Sequence, residues 1–415
     1  MHFDKIKILI YTILIFPIIL IIINSDIVAN LYWQLSSRFV DYMAMVNWLE
    51  CHSLGVDLYV INESYSVICD GKKAYPISYG HALLFLPYND VLAVFYTKYL
   101  PFIIIFLFIF LTIKIINPKN KIEKLLLFLI IFNPSVLLAF DRLNFDMIVY
   151  ILAIIICFNR IYVINWFSIL FVSLIKVYPV ALFINIFFES QKRTNKNIFL
   201  VILLISFVTL AYAYFYTETI LFFLEALRAG KPGYHYLFSL NSIPKILEYI
   251  FNLNYQIMLL LTYSLFIFLV VKINKNFNSL SNQLQNDIFS NNSKLFMVGG
   301  YTSVICFFLF SNWFYREVFL ILMIPHLLSL KSSTDNKVLK LLFFLIIARY
   351  IYLFPYSYVN IHDGITHIND VRIFSTKFLI VIFLKSVFDF IIMTLFSALL
   401  VQKTTIYLKS RYSKI

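Results

Sequence analysis

The sequence predicts an all-α polytopic membrane protein with about twelve transmembrane helices, and three observations carry that reading. The 415 residues are 61% hydrophobic and only 13% charged, where soluble domains carry about 25% charged residues. The apolar residues are gathered into long runs of the kind that span a bilayer, which takes about 20 residues per helix. The charges lie mainly in the polar breaks between those runs.

Taken in order, the runs predict helices at 6–27, 91–116, 125–140, 147–158, 161–176, 178–189, 197–216, 254–272, 294–311, 317–330, 339–355 and 374–401. The first follows Lys5 and Lys7, as the core of a signal peptide would. It is long and lacks a small-residue cleavage site after it, so it reads as an uncleaved membrane helix. The stretch 274–293 is rich in Asn and Ser and reads as a solvated linker. No internal repeat is visible, and the whole of 1–415 reads as one membrane-embedded domain.

Basic residues set the orientation. With the N-terminus in the cytoplasm, the cytoplasmic tails and loops hold 20 Lys/Arg against 5 Asp/Glu, and the rest of the chain holds 14 against 16. Both termini are therefore expected inside. The net charge of +13 follows this topology and not a nucleic-acid footprint, so no nucleic-acid partner is expected.

The outer side then receives a large loop at 28–90 and smaller ones at 217–253 and 356–373. Within the large loop, Phe39, Met43, Val46, Leu49 and Leu54 fall near one helical face. That rhythm fits a short interfacial helix or an ordinary helix packed on the bundle. Aromatics crowd the same loop and suit either an interfacial belt or the stacking of sugar rings. Cys51 and Cys69 share this loop, where a disulfide is permitted, and their spacing alone leaves the pairing open. Cys157 and Cys306 lie in apolar runs and read as packing residues, and no Cys/His spacing points to zinc.

Ionisable residues near membrane depth are costly and mark candidate sites. Asp41 is either an exposed or capping carboxylate, or a base that takes a proton from an attacking hydroxyl. "DRLNFD" at 141–146 could be a turn in water. It also offers Arg142, whose fork suits a lipid phosphate, with Asn144 and Asp146 to orient it or touch a substrate. In "LIKVYP", Lys176 either snorkels or faces the same leaflet as Arg142, and Pro179 after Tyr178 breaks the apolar run. Weaker candidates are Arg316, which could equally pair with Glu317, and His362 and His367 in the last outer loop. Arg349, inside an apolar run, needs a partner.

The order of "DYMAMVNWLECHSLGVDLY", "YPISYGHALLFLP", "NPSVLLAFDRLNFDMIVYILAI" and "SLIKVYPVALF" resembles the bacterial polyprenyl-phosphate-mannose-dependent mannosyltransferases of the C-type glycosyltransferase superfamily (GT-C). The likeness covers residues 1–190, which would form the catalytic half, leaving 191–415 for a donor and acceptor groove. Asp41 and Tyr42 match one family element and Gly55 and Tyr59 a second. Arg142, Asn144 and Asp146 match a third, and Lys176, Tyr178 and Pro179 a fourth. Leu143 stands where the family usually has glycine, and Tyr79–Gly80 where Tyr-Pro is common, with Tyr75–Pro76 nearby.

The resemblance implies transfer of mannose or glucose from a polyprenyl-phosphate donor to an envelope glycan or glycolipid, with inversion. It would occur on the outer face of the bacterial cytoplasmic membrane, with no required cofactor, a divalent metal being admissible. Asp41 would be the base; Arg142, Lys176 and Arg316 would hold phosphate. Tyr42, Asn144, Asp146, Tyr178, His362 and His367 would contact substrate. Two other readings remain at this point. An O-antigen polymerase or ligase has a similar helix count but usually a late large loop. A lipid-linked oligosaccharide flippase would line its bundle with charge on both sides of the midplane.

Overall fold

The computed structural model describes residues 2–24, 39–56, 58, 67–69, 72–74, 81–159, 161–176, 178–185, 199–200, 202–211, 214, 238–280, 284, 290–308, 314–333, 336–362, 365–368 and 371–412. The chain divides into two compact units. The first comprises Met1–Gln34, Thr112–Leu138 and Pro232–Ile415, and the second Leu35–Leu111 and Ala139–Lys231. Helices dominate both, with two short antiparallel hairpins, β1 (Val67–Cys69) with β2 (Lys72–Ala74), and β3 (Ile365–Ile368) with β4 (Val371–Phe374).

Among the described residues, five helices are long and apolar enough to cross a membrane: Ile6–Ile23, Asp90–Ile116, Tyr255–Asn278, Lys337–Ser357 and Thr376–Ser410. The first lies within α1 (His2–Asn24). A sixth arises if α5 (Lys121–Ile131) and α6 (Pro134–Arg142) count as one span bent by 44°. The sequence predicts that pair as a single helix, and its break has a local cause. Pro134 has no N–H to give the preceding turn and pushes Asn133 away from helical geometry. The Asn133 side chain then accepts from the Ser135 N–H at 2.8 Å and so starts α6 afresh.

Four further apolar helices are short: Phe145–Phe158, Val163–Ile175, Ile202–Ala211 and Val318–Lys331. A 14-residue helix is about 21 Å long at 1.5 Å per residue, short of a hydrocarbon core about 30 Å thick. These runs are helical as their sequence predicts, but over their described residues none of them is long enough to reach across. Where the sequence predicts a helix at 178–189, Tyr178–Phe183 form a 3₁₀ turn, and 186–189 lie outside the described residues.

In the first unit, α10 (Ser242–Phe251), α11 (Tyr255–Asn274), α12 (Asn291–Phe308), α15 (Lys337–His362) and α16 (Thr376–Tyr412) surround an aromatic core. Phe266 of α11 meets Phe308 edge-on at 5.0 Å and Phe390 of α16 at 5.7 Å. Close approach is needed where α12 passes α13 (Val318–Ile321). A Cβ on Gly299 would lie 2.9 Å from the Phe319 carbonyl, so only glycine fits without a backbone shift.

In the second unit, α2 (Val40–Ser53) is the element that carries Asp41. It buries Tyr42, Met45, Val46, Trp48, Leu49 and Cys51. The sequence places Met43 and Leu54 on the apolar face, but Met43 is half-buried and Leu54 is 60% exposed. Leu54 ends the helix, so the helical rhythm does not extend to it. Cys51 forms a disulfide with Cys69, tying α2 to β1. Behind them, α4 (Leu100–Ile116) contributes Phe108, packed 4.5 Å from Tyr150 of α7 (Phe145–Phe158) and 5.3 Å from Phe140.

Candidate functional site

Within the second unit, three segments distant in sequence bring their polar residues together. The first is the start of α2. Phe39, just ahead of it, adopts a left-handed backbone (φ 53°), and its N–H donates to the Asp141 carbonyl at 2.6 Å. That bond pins the beginning of α2 to the end of α6 and sets Asp41 beside Arg142.

The second segment is the α6–α7 junction. Arg142 donates to Asp41 through both Nε (2.9 Å to Oδ2) and Nη2 (2.5 Å to Oδ1), a bidentate pair across 101 residues. Leu143 turns the chain with a left-handed φ of 45°. Such a conformation costs a non-glycine residue about 1–3 kcal/mol and tends to persist at functional sites. Here a buried leucine, 1% exposed, takes a backbone that glycine adopts without strain. Asn144 follows as the N-cap of α7, accepting from the Asp146 N–H at 3.1 Å.

The third segment is the end of α8 (Tyr162–Ile175). Lys176 leaves the helix in extended geometry (φ −136°, ψ 143°) ahead of the Tyr178–Phe183 turn that Pro179 favours. Its Nζ donates to Asn144 Oδ1 at 2.8 Å and to Asp146 Oδ1 at 2.6 Å, and Tyr178 donates to the same Asp146 oxygen at 2.5 Å. The Lys176 ammonium also lies 5.8 Å from the centres of the Phe145 and Tyr178 rings.

Asn144 joins the two halves of this network. Its Nδ2 donates to Asp41 Oδ2 at 2.6 Å while its Oδ1 receives Lys176. The result is one continuous run from Asp41 and Arg142 through Asn144 to Lys176, Asp146 and Tyr178. Burial grades along it. The Asp41 and Arg142 side chains are 15% and 12% exposed, Lys176 9% and Asp146 1%. Tyr42, next to Asp41, is buried, and that burial, with Tyr96 nearby adding to it, raises its phenol above the usual range.

Six predicted site residues (Asp41, Arg142, Asn144, Asp146, Lys176 and Tyr178) thus share one hydrogen-bonded cluster, with Tyr42 packed beside it. Arg316 belongs to the first unit and is half-buried next to Glu317. His362 ends α15, and His367 opposes Arg372 in the β3–β4 ladder; the side chains of both histidines lie outside the described residues. Tyr59, Tyr75 and Tyr79 also lie outside them. Among the described residues no group of three or more His, Cys, Asp or Glu is placed to hold a metal ion.

No family model, curated protein or solved structure matches this chain. Its chemistry therefore has to be argued from the residues themselves.

The first unit holds a second charged cluster. Arg349, which the sequence leaves in need of a partner, pairs with Glu317 and donates through Nε to Asp389 at 2.6 Å. Lys385 closes the arrangement, 2.7 Å from Asp389 and 3.3 Å from Glu317. The four side chains form a ring of alternating sign, each no more than 3% exposed. Lys385 and Asp389 were missed by sequence reasoning. Their spacing of four inside the apolar run "FLIVIFLKSVFDFII" is the available signal, since it stacks opposite charges on one helical face.

Proposed function

We propose that this protein is a membrane glycosyltransferase that moves a hexose from a polyprenyl-phosphate donor to an envelope glycan or glycolipid. The observation that carries the reading is that Asn144 bonds both Asp41, which is itself paired with Arg142, and Lys176. An acid and two cations from three separate segments are what an inverting transfer from a lipid phosphate needs. The acceptor oxygen attacks the anomeric carbon, and the bond from that carbon to the phosphate oxygen breaks. Its electron pair leaves on the phosphate, where Arg142 and Lys176 stabilise the growing negative charge. Asp41 receives the acceptor's proton. Asn144 and Asp146 hold the cations and carboxylate in register, and Tyr178 braces Asp146.

The Cys51–Cys69 disulfide supports placing α2 on the oxidising, outer side of the membrane, where such donors are presented. With the basic tails and loops inside, that is the face of a bacterial cytoplasmic membrane opposite the termini.

The test is to incubate the purified full-length protein with polyprenyl-phosphate glucose, mannose and arabinose and an envelope extract, and to measure released polyprenyl phosphate. One of the sugars should turn over, and Asp41→Asn should cut the rate by about 10²–10⁴-fold while the protein still inserts into the membrane. Full activity in Asp41→Asn, or no release from any donor, would overturn the reading.

A further inference from the structure

Both oxygens of the Asp41 carboxylate are engaged, Oδ1 by Arg142 Nη2 and Oδ2 by Arg142 Nε and Asn144 Nδ2. Both carboxylate oxygens already accept from donors, so an acceptor hydroxyl has to displace one of them to reach the base. The same guanidinium edge is the geometric match for phosphate oxygens. Two anions thus have a claim on one cation, and this pair is the most exposed part of the cluster, with side chains 12% and 15% exposed.

Resting on the transferase reading, we infer that Arg142 is a shared counter-ion, and that lipid phosphate frees the Asp41 base by drawing the guanidinium away from it. The charges balance through the reaction. Before transfer, the negative charge is on the Asp41 carboxylate and the donor is a phosphodiester carrying one charge. Afterwards Asp41 holds the acceptor's proton and is neutral. The leaving group is a phosphate monoester carrying about −1.5 to −2 at neutral pH. Negative charge has moved from carboxylate to phosphate, and the best partner for Arg142 moves with it. Asn144 spans the exchange, since it holds Asp41 through Nδ2 and Lys176 through Oδ1 whichever anion has the arginine. An empty site would keep its base silent, and donor would have to bind before acceptor can be deprotonated.

The test measures binding of farnesyl phosphate, a short-chain polyprenyl monophosphate, to the full-length protein in nanodiscs. Four forms are compared: wild type, Asp41→Asn, Arg142→Gln and the double variant. If carboxylate and phosphate compete for Arg142, Asp41→Asn removes the competitor and binding tightens by about tenfold. In the Arg142→Gln background the same substitution should change nothing, because there is no cation left to contest. Weaker or unchanged binding in Asp41→Asn would overturn the inference, with Asp41 then serving to position Arg142. Equal tightening in both backgrounds would overturn it too, since that is repulsion through space. Asp41→Ser, which also removes the charge, repeats the measurement should Asp41→Asn fail to fold. Absence of binding to every form defeats the transferase reading itself and is distinct from binding that ignores Asp41.

Discussion

The two charged clusters use similar residues to opposite ends. In the first unit, Glu317, Arg349, Asp389 and Lys385 close a ring in which every charge meets two of the other sign, sealed from solvent. In the second, burial along the run from Tyr178 to Asp41 falls away toward the Asp41–Arg142 pair. Four charges sealed from solvent and paired across three elements act to hold α15, α16 and the turn before α13 together. A run whose Asp41–Arg142 pair is its most exposed part leaves that pair contestable. Ionisable residues among apolar helices mark function by default. Here exposure separates the fastener from the candidate site.

Substitutions can break that contrast. The largest stability loss is expected for Arg349→Met, which leaves two buried carboxylates sharing Lys385. Thermal unfolding in detergent should show about 3–5 kcal/mol of destabilisation or no folded protein. Lys176→Met sits between the two behaviours, because Asp146 is 1% exposed and keeps Tyr178 as a donor. It should cost about 2–3 kcal/mol and abolish transfer as well. Leu143→Gly sharpens the meaning of the strained turn. Glycine relieves about 1–3 kcal/mol of left-handed backbone but surrenders a leucine that is 1% exposed, worth about 2–5 kcal/mol. Burial wins, and a net loss of about 1–2 kcal/mol is expected; a gain in melting temperature would show that strain dominates there.

A smaller stability effect than for Arg349→Met is expected for Arg142→Gln, about 1–2 kcal/mol, because Asp41 is partly exposed and keeps Asn144 as a donor; on the transferase reading it also loses transfer. If Arg142→Gln unfolds the protein as readily as Arg349→Met, the distinction between fastener and site is wrong.

Much of this was legible in the residues, for physical reasons. Long helices with uninterrupted apolar runs lie where hydropathy puts them. The predicted 91–116 and 254–272 are found at Asp90–Ile116 and, as α11, Tyr255–Asn274. What local reading could not supply is whatever depends on distant partners. The helix predicted at 374–401 continues to Tyr412 because polar residues past the apolar run are still packed. Gln402 donates to Asn278 at 3.0 Å, and Lys403 lies 2.6 Å from His326. The apolar face of α2 was misread by including Leu54, whose place outside the helix is set by the turn through Gly55 (φ 76°). Within the site, the identity of Asp41, Arg142 and Lys176 as candidates came from charge at helix ends. The bridging role of Asn144 did not: the sequence offers it only as a residue that orients Arg142 or touches a substrate, and not as the α7 cap. It is a cap, and its remaining atoms do the joining.

The link between Cys51 and Cys69 carries a consequence for how the protein matures. Cys51 lies ten residues along the same helix as Asp41, so on the proposed outer placement of α2 thiol oxidation becomes a step in building the proposed reaction centre. A cell unable to oxidise exported thiols would insert the chain normally yet leave α2 untethered from its hairpin.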